Sequence, residues 1–161
     1  MTPHRARVAG MRLYLVQHGD AVAKDIDPER PLSDRGREDI GRLANWLESN
    51  DVRVARIVHS GKLRAEQTAN LLAPLVGDDG TVEAHPGLAP NDSPGSLLDT
   101  LTDDDTIVAG HMPFVSRAVS LALDLPPDQP IAAFKPGSLA GLERDTDGTW
   151  RLMLFIRPEQ V

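Results

Sequence analysis

Three short apolar runs each end in a histidine, and that shared ending constrains the fold more than any other feature of the chain. The runs are Leu13-Tyr14-Leu15-Val16 before Gln17-His18-Gly19-Asp20, Val54-Ala55-Arg56-Ile57-Val58 before His59-Ser60-Gly61, and Thr106-Ile107-Val108-Ala109 before Gly110-His111-Met112-Pro113. A continuous apolar run of strand length, closed by glycine, reads as a strand buried on both faces, which is the habit of a parallel sheet. In open parallel sheets the carboxyl edge is where ligands bind. Three of the five histidines in the chain thus fall where separate strands end. The expectation is that they share one pocket.

The chain of 161 residues is one domain's worth, and its residues suffice for a single core of Leu, Val, Ile and Ala, since aromatic residues make up only 4%. Residues 1–10 are expected to form a flexible tail and residues 11–161 a single domain, with Met11 opening the first strand. A formal net charge of -7 argues against broad contact with nucleic acid, which calls for a basic face. The absence of cysteine removes disulfides, thiolate metal sites and a cysteine nucleophile. No apolar window approaches the ~18 residues of a membrane span, and the basic start lacks the apolar core of an export signal. A cytoplasmic location with no membrane partner is the expectation.

After the first run, Ala21 to Pro31 is polar and holds Pro28 and Pro31, so it reads as a loop. Ser33 is a good N-cap for a helix to about Ser49, with Ile40, Leu43, Ala44 and Leu47 facing the core. Ser60 is placed to cap a second helix through Leu72, ended by Pro74 and Gly77. Asp78 to Gly80 reads as a turn, Thr81 to His85 as a short strand, and Ser96 to Leu101 as a brief helix. Pro113 suits the first position of a helix from Phe114 to Leu123 with Phe114, Ala118, Leu121 and Ala122 buried. Asp145 to Gly148 separates two strand-like runs, the signature of an antiparallel hairpin. The order gives an α/β fold: a three-layer α/β/α sandwich with a mostly parallel central sheet and an antiparallel edge hairpin.

Side-chain chemistry narrows the reading. Arg64 lies in the first turn of the second helix, and helical side chains lean toward the N-terminus, so it either reaches over the sheet edge toward an anion or stands as a solvated surface arginine. Asp20 either orients a pocket group or caps the loop. His59 reads as a structural histidine before a pocket one, His4 and His85 as surface residues, and Glu66 as solvent-facing. A metal-hydrolase reading would use His18, Asp20, His59 and His111, whose ligand types suit zinc or manganese.

His18-Gly19, Leu32-Ser33-x-x-Gly36, Ser60-x-x-x-Arg64-Ala65-x-Gln67-Thr68 and Gly110-His111-x-Pro113 together resemble the histidine phosphatase superfamily. The stretches His18-Gly19-Asp20-Ala21 and Leu63-Arg64-Ala65-Glu66-Gln67-Thr68 are most similar to its SixA branch of protein phosphohistidine phosphatases. The resemblance covers Met11 to about Ile156 and implies a phosphoglycerate-mutase-like fold. It also implies a two-step phosphoryl transfer, with His18 as the nucleophile that becomes phosphohistidine and Arg64 and His111 as catalytic groups. Gln17, His18, Arg64 and His111 would bind phosphate, with Gly19, Asp20, Ser60 and Met112 around the pocket. No metal or other cofactor is implied, and the partner is a phosphorylated protein or a small phosphorylated molecule.

Three departures from the family pattern bear on activity. Gln17 stands where the motif has an arginine, and losing a charged hydrogen bond of roughly 1.5–3 kcal/mol costs about 10- to 100-fold. Gln17 either binds a phosphoryl oxygen through its amide or packs in the arginine's place. Gly61 replaces a proline. Gly87 occupies the position where relatives often carry an acid, which leaves the proton donor unassigned. The alternative to an enzyme is therefore a catalytically impaired module of the same fold that binds phosphate or a phosphoprotein.

Overall fold

A computed structural model describes residues 10–161; the tail expected over residues 1–10, and His4 with it, lies almost wholly outside the described residues. Six strands form one sheet in the order β3-β2-β4-β1-β5-β6. They are β1 (Met11–Gln17), β2 (Val54–His59), β3 (Val76–Ala84), β4 (Thr106–Gly110), β5 (Leu139–Arg144) and β6 (Trp150–Ile156). The pairs β1–β4, β2–β4 and β2–β3 are parallel, and β1–β5 and β5–β6 are antiparallel.

The apolar runs become central strands because both faces of the sheet are covered. Along β1, Tyr14 and Val16 enter one core with Ile107 and Ala109 of β4, while Leu13 and Leu15 enter the opposite core with Val108. That alternation is the period of two that successive strand side chains impose. Helices α1 (Asp34–Ser49) and α2 (Leu63–Leu72) cover the first face, through Ile40, Leu43, Leu47, Ala69 and Leu72. Helices α3 (Pro94–Thr100) and α4 (Phe114–Ala122) cover the second, through Leu97, Phe114, Val115, Ala118 and Val119. The three layers and the antiparallel edge agree with the expected α/β/α sandwich. Among the described residues no helix is long and apolar enough to cross a membrane.

Four boundaries differ from the sequence reading, each for a local reason. The Asp78–Gly80 turn is absorbed into β3, which spans Val76–Ala84 and pairs with β2 across a register shift. Gly80 permits this because the Val76 side chain and the Ala55 carbonyl occupy the space of a Cβ, at 2.0 and 2.6 Å. Helix α2 starts at Leu63 after Lys62, without a side-chain cap; Ser60 Oγ accepts from Lys62 N at 3.3 Å, just ahead of the helix, and also bonds His111. Pro113 precedes α4 as its N-cap instead of opening it. Helix α3 starts earlier, at Pro94.

The buried stripe of α4 also shifts. Val115 and Val119 are buried alongside Phe114, Ala118 and Ala122, whereas Leu121 is 42% exposed. At about 100° per residue, Leu121 falls on the far flank of that stripe. The hairpin loop is as expected: Gly148 adopts φ 88° and donates to Asp145 O at 3.0 Å.

Candidate active site

Register brings the strand-end residues together. Gln17 of β1 lies opposite Gly110 of β4, and His59 of β2 lies opposite Ala109. The next residues along these strands, His18, Ser60 and His111, therefore emerge at one edge of the sheet. His18 N donates to Gly110 O at 2.9 Å, which fixes the two chain exits side by side. The rings of His18 and His111 sit with centroids 5.1 Å apart, tilted by 59°.

The half-buried imidazole of His18 has a defined proton arrangement. Its Nδ1 lies 2.7 Å from Gly19 O, and a carbonyl can only accept, so Nδ1 carries the proton. Nε2 then presents its lone pair, toward which Arg64 Nε–H donates at 3.3 Å. Burial lowers the His18 pKa from its ordinary 6.5; the Gly19 carbonyl opposes this, and the Arg64 and Arg30 charges reinforce it. The ring is thus held neutral, the form a nitrogen nucleophile requires. Burial and the nearby Arg30 charge likewise lower the basicity of Arg64.

His111 is almost fully buried, and Ser60 orients it: Ser60 Oγ and His111 Nε2 share a hydrogen bond of 2.6 Å. Burial and the neighbouring His18, Arg64, Lys62 and Arg30 push its pKa down to about 3, so it is neutral at neutral pH. Its Nδ1 is buried with no hydrogen-bond partner among the described residues, as is Gln17 Oε1. Gln17 is anchored through its backbone, with N donating to Ser138 O at 2.9 Å and O accepting from Gly137 N at 3.0 Å.

The loop around His18 is fastened to two helices. Gly19 N donates to Thr68 Oγ1 at 3.1 Å, and Thr68 Oγ1 in turn donates to Arg64 O at 2.8 Å. Gln67 Oε1 accepts from Leu32 N at 2.7 Å. The Gln67-Thr68 pair is therefore the fastening between α2 and the His18 loop. Ser33 Oγ donates to Asp20 Oδ2 at 2.6 Å and accepts from Gly36 N at 3.0 Å, so it caps α1 and holds Asp20 at once. Gly36 leaves no room for a side chain, since its Cβ would lie 2.1 Å from Asp20 O and 2.9 Å from Asp20 N.

The candidate residues divide accordingly. His18, Arg64 and His111 converge, with Gln17, Gly19 and Ser60 in contact or adjacent. Asp20 turns toward Ser33 and borders a separate cavity of about 490 Å³ with Arg35, Asp39 and Lys135. Met112 packs partly into the core beneath α4. His59 is buried and accepts from Gly61 N at 3.1 Å, the structural role expected of it. With Asp20 and His59 so committed, the His18–Asp20–His59–His111 metal set does not assemble, and no other group of three metal-ligating side chains does so among the described residues. Arg30, by contrast, was not singled out by sequence: a lone arginine in a polar loop gives little signal.

A doubly covered α/β sheet with a neutral histidine, an arginine and a second histidine at its carboxyl edge defines a class of phosphoryl-handling protein. The Histidine phosphatase superfamily (branch 1) matches residues 13–90, and the chain belongs to that superfamily. It is 29% identical over 145 residues to the phosphohistidine phosphatase SixA of Escherichia coli K12, covering 86% of this chain and 88% of that protein. A solved structure of the protein histidine phosphatase SixA complexed with tungstate superposes with a TM-score of 0.79 at 27% identity, over 93% of this chain and 99% of that one. A phosphoglycerate mutase from Plasmodium falciparum shares the fold, with a TM-score of 0.69 at 20% identity over 91% of each chain.

Proposed function

We propose that the protein is a phosphohistidine phosphatase that acts on a phosphorylated partner protein through a covalent phosphohistidine on His18. The observation that carries this reading is the proton arrangement at His18: Nδ1–H is committed to Gly19 O, and the Nε2 lone pair faces Arg64. In the first step Nε2 attacks phosphorus, the N–P bond of the substrate breaks, and the partner's imidazole leaves. In the second, water attacks phosphorus, the Nε2–P bond breaks, and inorganic phosphate departs. The guanidinium of Arg64 would shift from the lone pair to the phosphoryl oxygens, where a planar fork suits charge spread over equatorial oxygens. The phosphoryl dianion also offsets the positive surroundings that keep His18 and His111 neutral, so binding favours protonation of His111 as a donor to the bound group. Similarity to SixA supports phosphohistidine as the substrate class.

The test is phosphate release from a histidine-phosphorylated protein, with acid-free mass spectrometry to trap a phosphoryl group on residue 18. Loss of both in His18→Ala is the expected result; equal release by that variant would refute the reading. Gln17 favours a second one, a module that binds phosphoprotein without turning it over. Gln17→Arg separates them: a change within about 100-fold, the worth of one charged hydrogen bond, marks an enzyme adapted to glutamine. Activity appearing only in the variant marks a binding module.

A further inference from the structure

The cavity bordered by Asp20 is distinct from the His18 hollow but shares two walls with it. Its volume of about 490 Å³ is enough to take several side chains. Asp20 of the His18 loop, Arg35, Asp39 and Arg42 of α1, Lys135, and Glu159 of the C-terminal turn (Pro158–Gln160) line it. Asp20 is two peptide units from His18, so their Cα atoms are at most about 8 Å apart. On the other side Gly137, two residues beyond Lys135, donates its N–H to His18 O at 3.1 Å. The segment that carries the nucleophile is thus flanked by both the Asp20 and the Lys135 walls.

The charges of this cavity are sorted by depth. Its carboxylates are already engaged. Asp39, whose side chain is only 9% exposed, pairs with Arg42 and, at 3.9 Å, with Arg35. Glu159 is shared between Lys135 at 3.2 Å and Arg157 at 3.1 Å, and Asp20 accepts from Ser33 Oγ. The cations stand outward: the side chains of Arg35, Lys135 and Arg42 are 83%, 57% and 47% exposed. Arg35 is the least satisfied of them, because 3.9 Å is an ion-pair separation too long for a hydrogen bond, and its N–H fork is left to solvent. An approaching molecule therefore meets positively charged donors here, on a chain whose formal net charge is -7. Donors of this kind call for carboxylates.

We propose that this cavity is a docking surface for the phosphorylated partner protein, and that it selects partners with acidic side chains around the phosphohistidine. The carboxylates enter beside Arg35 and Lys135 while the phosphoryl group reaches His18. The inference rests on the phosphatase reading for the phosphoryl group and adds the chemistry of the surface that presents it. Rim charges act mainly on encounter and on its salt dependence, so Arg35 selects the partner and takes no part in the transfer.

The test uses the full chain and three histidine-phosphorylated peptides that differ only in the residues on both sides of the phosphohistidine, which are glutamate, glutamine or lysine. The expected KM of the wild type is about three- to tenfold lower for the glutamate peptide than for the glutamine peptide, with the difference fading as salt is raised. Arg35→Glu is expected to invert the order in favour of the lysine peptide, and Arg35→Lys to keep the wild-type order. The ratio between peptides is the readout because a merely structural arginine would alter all three alike. Equal KM values for the three peptides, or an order unchanged in Arg35→Glu, would overturn the proposal. Folding of Arg35→Glu is expected, since the position is exposed in the first turn of α1, where a carboxylate suits the helix N-terminus. Failure of the phosphatase reading looks different: the wild type hydrolyses none of the peptides. Calorimetry with the same peptides then decides, tighter binding of the glutamate peptide upholding the docking surface and equal binding refuting it.

Discussion

Replacing Gly36 by alanine sets two physical effects against each other, and the structure decides the sign. Helix propensity alone favours alanine over glycine by about 1 kcal/mol. The new Cβ, however, would meet Asp20 O at 2.1 Å and Asp20 N at 2.9 Å. An ordinary carbon–oxygen contact needs about 3.3 Å, so the start of α1 and the Gly19–Asp20 segment must separate by about 1 Å. Neither side can yield as a flexible side chain would, because the obstruction is backbone. Overpacking of this kind costs about 1–3 kcal/mol, and the Ser33 bonds to Asp20 and Gly36 stretch with it.

The expected net result for Gly36→Ala is destabilisation by up to about 2 kcal/mol, the overpacking cost less the propensity gain, read by urea unfolding with the fluorescence of Trp46, which packs against the core from α1. Gly41 on the same helix is the control, since nothing lies within 4 Å of the Cβ it would gain. Gly41→Ala should stabilise by about 0.5–1 kcal/mol. Because Gly19 O orients the His18 ring, a 1 Å displacement should also lower phosphate release by up to about 100-fold in Gly36→Ala. A stabilised Gly36→Ala protein with undiminished turnover would refute the reasoning.

Two further outcomes concern protons. The lowered pKa of His18 keeps its ring neutral on the acid side, so the acid limb of kcat/KM for phosphohistidine hydrolysis should have its midpoint below 6.5; a midpoint at or above 6.5 contradicts the burial argument. His111 titrates at about 3 in the folded chain and near its ordinary 6.5 unfolded, so the unfolded state binds more protons between these values. Its contribution to stability is thus complete above 6.5 and is lost as pH falls toward 3. His111→Asn should flatten the decline of unfolding free energy with acid between pH 6.5 and 4 on the order of the window those two pKa values define, and parallel curves for variant and wild type would show the burial argument wrong.

The order of elements was legible because strand and helix periods are local signals. The apolar runs, the Ser33 cap and the Asp145–Gly148 turn each contain their own instruction. The course of β3 was not, since Asp78 to Gly80 has the composition of a turn and only pairing with β2 draws it into a strand. At the candidate site, His18, Arg64 and His111 could be named because their motifs have characteristic neighbours. Ser60 was misjudged as a cap because its partner, His111, lies 51 residues away. Arg30 escaped notice for a related reason: its charge bears on His18, Arg64 and His111, which no spacing along the chain encodes.

The parallel arrangement of β1, β2 and β4 also divides the molecule by orientation. Their starting ends, together with the turn joining β5 to β6, point away from His18, as the pairing of Met11 with Arg144 records. His18, Arg64 and His111 all lie at the opposite rim. Extra sequence inserted at Asp147–Gly148, whether an affinity handle or a fluorescent reporter, would extend the protein there while leaving the opposite rim free to receive a partner.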